Sequence, residues 1–471
     1  MMTRDEILTA CHAKPDKIVQ LIQTLFQRNQ ELEAQVQSLL QRNHELEEKV
    51  QTLEAQGKKN STNSHLPPSS DWAPIPKSSR MKTGRQSGGQ PGHTGHTLRM
   101  TDHPDQRCVH PVTTCVGCGT SLKDVPPKRH IIRQVFDIPP LSIEVTQHEA
   151  EFPAHVKRPV QYGPRLRALG AYLTQYQLIP YERTAELIAD LFGHTVSEGT
   201  LVTINRQMGK ALETVEQDIY HHLLSSPILH MDETGRRVEG KRQWLHVASN
   251  AKESLYMIHP KRGKEAMDAM KVLPQYRGVS IHDGWPSYFR YDTCAHALCN
   301  AHHLSELRGI WENTKQLWAQ DMMDVLLWMK EERETTSESL PPDRIAHWER
   351  VYKRILQRGF AQNPAPPTTK KKGKPKQSAA RNLLHRLSVY QDSVLMFLRN
   401  ASVPFDNNQA ERDICMAKVK ENISGTFRNE QDGKVFCRIR SFISTIKKQK
   451  RSVLSSLRHI IEGKPVDLFA T

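Results

Sequence analysis

An aliphatic residue recurs at every seventh position from Ile18 through Leu25, Leu32, Leu39 and Leu46 to Leu53. A second seam runs four residues behind it, at Ile22, Asn29, Val36, Asn43 and Val50. A 3-4 spacing kept over residues 17–56 dictates a long helix whose apolar stripe winds left-handedly and seeks a partner stripe. Leu at one seam position, β-branched residues at the other and Asn at intervals favour a parallel dimer. The string QRNQELEAQVQSLL returns directly as QRNHELEEKVQTLE, two heptads repeated in tandem. The pattern predicts a coiled coil, a leucine zipper, over residues 1–56 and a homodimer built on it. The alternative is one long helix packed on its own chain.

The chain has 471 residues, too many for one ordinary core, so several domains follow. Lys and Arg total 66 against 51 Asp and Glu, a net charge of +15. Charge of that sign favours a polyanion, because cations that neutralise phosphates release condensed counterions. The eight cysteines (Cys11, Cys108, Cys115, Cys118, Cys294, Cys299, Cys415 and Cys437) are too dispersed for a disulfide framework. No apolar run reaches the roughly 20 residues that span a bilayer, and no secretory leader is visible. The expectation is a soluble, reduced, cytoplasmic protein with no membrane partner.

Residues 57–102 are rich in Gly, Ser, Pro, Lys and Arg, and from Trp72 to Thr101 they hold no acidic residue. They cannot bury enough apolar surface to fold alone. They read as a flexible linker, either a mere spacer or an arm whose Lys77, Arg80, Lys82 and Arg85 track a phosphate backbone. Residues 103–165 read as short strands and turns around Cys115-Val-Gly-Cys118-Gly. Residues 166–222 look helical throughout. Within them 181–191 forms an amphipathic helix, Phe192-Gly193-His194 a turn, and Ser197 caps the next helix. This is either a helix-turn-helix for DNA or an ordinary helical hairpin.

Strand patterns follow at 228–232, 243–248, 255–259, 278–282 and 293–299, with a helix at 264–273 and another before the fifth strand. Three meandering strands and then crossovers predict a mixed sheet flanked by helices. Residues 305–403 are mostly helical, and 404–471 hold a helix with Glu411 and a basic C-terminal stretch.

Asp232 follows the apolar run Ile228-Leu229-His230-Met231, and Asp283 follows Val279-Ser280-Ile281-His282. Both sit at predicted strand ends, where an α/β sheet commonly places its site. If the strands are neighbours the carboxylates converge, and a cation must neutralise them or one takes up a proton. Oxygen-only ligands suit Mg2+ or Mn2+. Two such ions about 3.5–4 Å apart can activate a nucleophile and stabilise a leaving oxygen at phosphorus. Glu411, from a helix, would complete the cage. A lone Asp at a strand end is otherwise a turn former.

The surrounding strings resemble the transposases of the insertion-sequence-66 family over nearly the whole chain. They begin with Asn63-Ser64-His65-Leu66-Pro67-Pro68-Ser69-Ser70-Asp71 and Gly88-Gly89-Gln90-Pro91-Gly92-His93. Gln161-Tyr162-Gly163-Pro164 and Ile179-Pro180-Tyr181-Glu182-Arg183-Thr184 come next. His230-Met231-Asp232-Glu233-Thr234, His282-Asp283-Gly284-Trp285 and His296-Ala297-Leu298-Cys299-Asn300-Ala301-His302-His303-Leu304 follow. Pro404-Phe405-Asp406-Asn407-Asn408-Gln409-Ala410-Glu411-Arg412 closes the series. The resemblance implies a ribonuclease H-like core, in two parts at 223–304 and 404–471, around a helical insertion at 305–403. It assigns Asp232, Asp283 and Glu411 to an Asp-Asp-Glu triad using two Mg2+ or Mn2+ ions.

Cys299 and His302 form a C-x-x-H pair, read as structure or DNA positioning beside the site, or as a packed Cys and a satisfied His. Asn407 or Asn408 caps the Glu411 helix, and Arg412 contacts phosphate or pairs with a carboxylate. The family commonly carries two Cys-x-x-Cys knuckles, and only Cys115 and Cys118 stand here, in the zinc-ribbon-like segment 103–165. Tetrahedral Zn2+ would need further ligands from Cys108, His103, His110, His148 or His155.

The function expected is cleavage at insertion-element ends and joining to target DNA, with terminal repeats as the DNA partner and accessory proteins of the same element a further possible requirement. Three competitors stand beside it: a non-catalytic zipper-type DNA-binding regulator, a stand-alone nuclease, and a decayed transposase copy.

Overall fold

Strand-forming residues cluster between 228 and 298, and there the chain builds its sheet. The computed structural model describes residues 4–5, 9, 15–57, 100–126, 129, 131–136, 141–147, 160–336, 339–365 and 377–468. Helix α1 is Pro15–Gly57. Helix α2, Pro164–Ala171, runs into a π-helical turn at Tyr172–Tyr176, and α3 (Tyr181–Phe192), α4 (Glu198–Ala211) and α5 (Glu213–Ser225) follow. Strands β1 (Ile228–Val238), β2 (Lys241–Ser249) and β3 (Ser254–His259) come next, then α6 (Lys264–Met270) and α7 (Val272–Gln275). After β4 (Val279–His282) and β5 (Ala295–Leu298) the chain is helical. It forms α8 (Asn300–Thr314), α9 (Leu317–Thr335), α10 (Pro342–Gln362), α11 (Ala379–Val389), α12 (Gln391–Val394) and α13 (Met396–Arg399). The last helices are α14 (Asn408–Ser424), α15 (Glu430–Lys448) and α16 (Val453–Ile461).

The sheet is mixed, in the order β3-β2-β1-β4-β5. β1 and β2 are joined by Glu239 and Gly240, whose positive φ values of 52° and 73° make the tight hairpin turn that matches strand twist. β2 and β3 pair antiparallel, whereas β1 with β4 and β4 with β5 pair parallel. The sequence led us to expect a helix between β4 and β5; only a 3-10 turn at Tyr288–Arg290 forms. Gly284, with φ 89°, and Pro286 break any helix before it could start. The predicted helix over 264–273 also breaks, because Lys271 turns left-handed at φ 62°. Among the described residues of 103–165 no strand forms, only an isolated bridge from Thr114 to Ser121.

Two compact units arise. One takes in Met1–Lys77, Ser225–Asp232 and Leu273–Asn408. Its core packs Ile281 and Leu298 of the sheet against Trp318, Met322, Leu326, Tyr352, Leu384 and Leu398 of the helices. Trp318 and Tyr352 are fully buried, and the Tyr352 hydroxyl donates to Leu387 O at 2.9 Å, so its polar tip is satisfied inside the core. In α1 the seam residues Leu32, Val36, Leu39 and Leu46 are exposed.

The other unit is Ser78–Leu224, Glu233–Val272 and Gln409–Thr471. Ala410, Ile414 and Ala417, one face of α14, are buried with Leu245, Val247, Tyr256 and Ile258 of β2 and β3. β3 is an edge strand, and an open edge invites pairing with foreign strands. Here α15 covers it: Tyr256 N donates to Ser441 Oγ at 2.9 Å and Ser254 N to Thr445 Oγ1 at 3.2 Å. Within 166–222 the expected turn and cap are present between α3 and α4. α3 ends at left-handed Gly193, whose N–H returns to Ala189 O at 2.8 Å, and Ser197 Oγ accepts from Thr200 N at 3.2 Å. No helix among the described residues is long and apolar enough to cross a membrane.

Gly278 opens β4 where no side chain fits. A Cβ there would stand 2.5 Å from Pro227 O, the atom that accepts from Val279 N to extend the β1–β4 ladder. We expect Gly278→Ala to cost about 1–3 kcal/mol through forced backbone shifts, read as a lowered guanidinium midpoint; an unchanged midpoint would refute this account of the strand's start.

Candidate active site

Asp232 and Asp283 follow the registered part of two neighbouring parallel strands, β1 and β4. Ile228 pairs with Val279, Leu229 with Ser280 and His230 with Ile281. Two residues past the last registered pair the chain reaches Asp232, still in β1, and Asp283, just beyond the end of β4. Both are half-buried. β4 stops at His282, so Asp283 is the first residue beyond it, as expected. Asp232 does not end its strand: β1 continues to Val238 because its second half belongs to the hairpin with β2.

The turn after β4 is held from both sides. Asp283 Oδ1 accepts from Trp285 N at 2.8 Å, and Gly284 N donates to His282 Nδ1 at 3.1 Å. That bond leaves the proton of neutral His282 on Nε2, which faces His296 Nδ1 at 3.1 Å. His296 Nε2 in turn donates to Tyr291 O at 2.8 Å. Burial holds His282 well below the ordinary imidazole range and lowers His296 too, which keeps both neutral. His282 also stacks on Tyr288, ring centroids 4.4 Å apart.

Asn407 ties the segment before α14 to this sheet. Its Nδ2 donates to Met231 O at 2.9 Å, so its Oδ1 accepts from His230 Nδ1 at 2.8 Å. Its backbone N–H donates to Cys299 Sγ at 3.2 Å, and Cys299 N donates to His282 O at 3.0 Å. Cys299 is buried, and its Sγ lies within 4.8 Å of a His302 ring nitrogen. His303 Nδ1 meets Asn300 Oδ1 at 3.1 Å, while Asn300 Nδ2 holds Val394 O at 3.1 Å.

The expected cap is corrected here. Asn407 spends its side chain on β1, and Asp406 Oδ1 takes the Asn408 N–H at 3.1 Å instead. Asn408 is the first residue of α14, so its own side chain comes one position too late to be the cap.

Glu411 lies in the first turn of α14, one position from the buried Ala410, and is exposed. A carboxylate is favoured there by the amide dipoles of the helix start. Arg412, also exposed, donates to Gln409 Oε1 at 3.1 Å. Cys115 and Cys118 form a knuckle: Cys115 N donates to Thr120 O and Gly119 N to Cys115 O, both at 2.9 Å. Cys118 Sγ meets Thr120 Oγ1 at 3.3 Å, and that hydrogen bond lowers its thiol pKa. Among the described residues no third metal-ligating group joins the two. Lys77, Arg80, Lys82 and Arg85 lie outside the described residues.

Sequence reasoning passed over three groups: Asn407 as a buried strut, His230 beneath it, and the His282–His296 pair. A signal for the histidines was present. His230 stands two residues before Asp232, and His282 directly precedes Asp283. The hairpin β1–β2 adds another feature it missed. The guanidiniums of Arg242 and Arg262 both lie over the Trp244 ring, at 4.8 and 5.0 Å, and Arg262 pairs with buried Glu233 at 2.7 Å.

Residues 159–435, more than half of the chain, match the family described as Transposase IS66 family. Residues 22–99 match a family of unknown function, DUF6444. No curated protein matches the chain.

Removing the Asn407 side chain orphans the buried Met231 carbonyl and the His230 N–H. We expect Asn407→Ala to cost about 1–3 kcal/mol, measured by chemical denaturation; wild-type stability would show that the strut carries nothing.

A pH dependence also follows. Burial holds His303 down to about 3 and, with the other cations of its surroundings a smaller cause, His246 down to about 4. The unfolded chain protonates both near 6.5. Their native-state contribution is therefore complete above about 6.5 and is lost progressively as pH falls towards 4 and 3. The guanidinium midpoint should drop between pH 7.5 and 5, and His303→Gln should flatten that drop; equal slopes would contradict it.

Proposed function

Because this chain belongs to the IS66 transposase family, a family of Asp-Asp-Glu polynucleotidyl transferases, we propose that Asp232, Asp283 and Glu411 are its catalytic carboxylates, cutting insertion-element ends and joining them to target DNA. The observation that supports this is the parallel β1–β4 pairing over Ile228–His230 and Val279–Ile281, whose offset, continued by two residues, leads to the half-buried Asp232 and Asp283. Adjacent strands lie about 4.8 Å apart, so the pair offers a clustered, oxygen-only donor set of the kind that suits Mg2+ or Mn2+. Transposases of this class use divalent ions; bound here, two of them would supply charge neutralisation and an acidified water at the scissile phosphate.

The protein's own groups then have distinct tasks. Asp232 and Asp283 would hold the divalent ions. The Asp283–Trp285 and Gly284–His282 bonds fix the turn that aims the second carboxylate. Glu411 orients the attacking oxygen or completes the ligand set. In the first step water forms a bond to phosphorus as the bond to the 3′ oxygen breaks, freeing a 3′ hydroxyl. In the second that hydroxyl attacks a target phosphodiester, and one phosphorus–oxygen bond again replaces another. Cys299 and His302 position the backbone that abuts β4. Asn408 opens the Glu411 helix.

The strand order 3-2-1-4-5 supports a ribonuclease H-like core, with residues 305–403 as its helical insertion. The exposed seam of α1 supports a parallel coiled coil that pairs two protomers. Two DNA ends must be held together for concerted joining, so pairing has a mechanistic purpose. The helices α3 and α4, the basic arm with Lys77, Arg80, Lys82 and Arg85, and Arg412 are the DNA contacts we assign. Zn2+ at Cys115 and Cys118 would require two further ligands, from Cys108, His103, His110, His148 or His155. The site of action is the bacterial cytoplasm, at the nucleoid.

Wild-type protein should nick terminal-repeat DNA with Mn2+. Glu411→Gln should lower that rate by about 100-fold or more with DNA affinity little changed; full activity in Glu411→Gln removes Glu411 from the triad. Leu39→Asp in α1 should shift sedimentation from dimer to monomer, and an unchanged dimer would place self-association elsewhere.

A further inference from the structure

A cleft lies beside the C-terminal helices. It measures about 370 Å3 and opens beside the π-helical turn, lined among others by Tyr172, Tyr176, Lys447, Lys450, Arg451 and Ser452. No acidic residue lines it. Among the described residues none of the three cations is engaged in an ion pair. Lys447 Nζ stands 5.8 Å from the centroid of the Tyr176 ring, and the Tyr172 and Tyr176 rings lie 5.2 Å apart, tilted by 55°. The N-terminus of α16 opens at Ser452, with no carboxylate in its first turn.

Two local distortions build this wall. Tyr172–Tyr176 is π-helical, a form that occurs mostly as short insertions and frequently at functional sites. Lys450 adopts φ 58°, a left-handed conformation that a lysine rarely takes without compensation. The turn is fixed by Lys450 N to Lys447 O at 3.0 Å and Arg451 N to Ile446 O at 3.1 Å. Arg451 also donates from Nη1 to Asp467 O at 2.6 Å, which braces that side chain.

Cations that line the wall, a helix start and aromatic rings in a small cleft suit a nucleotide whose phosphate meets the charges and whose base stacks on a ring. The size is that of a small-molecule pocket, so it suits one unpaired nucleotide rather than a duplex. We infer that the cleft walled by Tyr172, Tyr176, Lys447, Lys450 and Arg451 binds an unpaired nucleotide of a DNA strand. This rests on the transposase reading, which makes DNA the partner. Strand cleavage produces such nucleotides, and the cleft would hold a free strand away from the carboxylates.

The test uses the full chain, with Ca2+ in place of Mn2+ in the binding arms, and a single-stranded oligonucleotide carrying 5-iododeoxyuridine. Photo-crosslinks mapped by mass spectrometry should fall on Tyr172 or Tyr176. Lys447→Gln with Lys450→Asn, the latter chosen because Asn tolerates a left-handed conformation, should cut the crosslink yield at least 5-fold. It should also lower the salt slope of single-strand binding by about 1.4, at 0.7 per phosphate contact. Tyr176→Leu should reduce the quenching of a 2-aminopurine strand while circular dichroism stays that of the wild type. Crosslinks absent from both tyrosines, or a yield unchanged by the lysine variant, would overturn the assignment. So would equal protection by inorganic phosphate at matched ionic strength, which would mark a phosphate site and not a DNA site. Nicking of terminal-repeat duplex with Mn2+, assayed on the same proteins and on Glu411→Gln, reports the transposase reading separately, so either claim can fail alone.

Discussion

The parallel pairing of β1 with β4 is the constraint on which the candidate site depends. A parallel ladder has a constant offset, and here it is set by only three registered pairs, Ile228 with Val279 to His230 with Ile281. A slip of one residue would turn the side chains of one strand to the opposite face. The segments that lead to Asp232 and to Asp283 would then leave the ladder in a different relation. The register is specified at its start by Gly278, where Pro227 O takes the Val279 N–H, and at its end by Asn407, which clamps Met231 O and His230.

Around that ladder the protein uses neutral polar groups where charge would be expensive. His282 and His296 are each linked through both ring nitrogens and His303 through one, and burial keeps them unprotonated. A cation at His282 would lie one residue from Asp283 and would compete for its charge. Holding the imidazoles neutral leaves the carboxylate available for an external cation. The same economy appears at the sheet edge, where Ser441 and Thr445 hydroxyls, not a further strand, occupy the outward N–H groups of β3.

Positive charge is distributed differently. Arg242 and Arg262 rest on Trp244, and Lys447 lies near Tyr176. Pairing a cation with an aromatic ring restrains it without neutralising it, and it remains able to meet a phosphate. Arg262 is the exception, because Glu233 also holds it. A chain with a net charge of +15 therefore keeps some of that charge in defined aromatic settings as well as in its low-complexity arm.

Much was legible before any fold was considered. The seven-residue period predicted the long helix now seen as α1, because a helical stripe is a one-dimensional property. The apolar runs before Asp232 and Asp283 marked β1 and β4, and Gly193 with Ser197 marked the boundary of α3 and α4, because turn and cap chemistry is local. Other features were decided only in three dimensions. Whether β1 would stop at Asp232 depended on a hairpin with β2. Whether Asn407 would cap a helix depended on a carbonyl and an imidazole 176 and 177 residues away in sequence. The Tyr172–Lys447 cleft joins segments whose separate strings carry no signal. The sequence alone determined helix periods, strand runs and the motifs that identify the family, since each arises from neighbours in the chain. Register, the hydrogen-bond partner of each buried polar group and the cleft were settled by tertiary packing, since a buried donor or acceptor takes whichever partner the distant chain brings within reach.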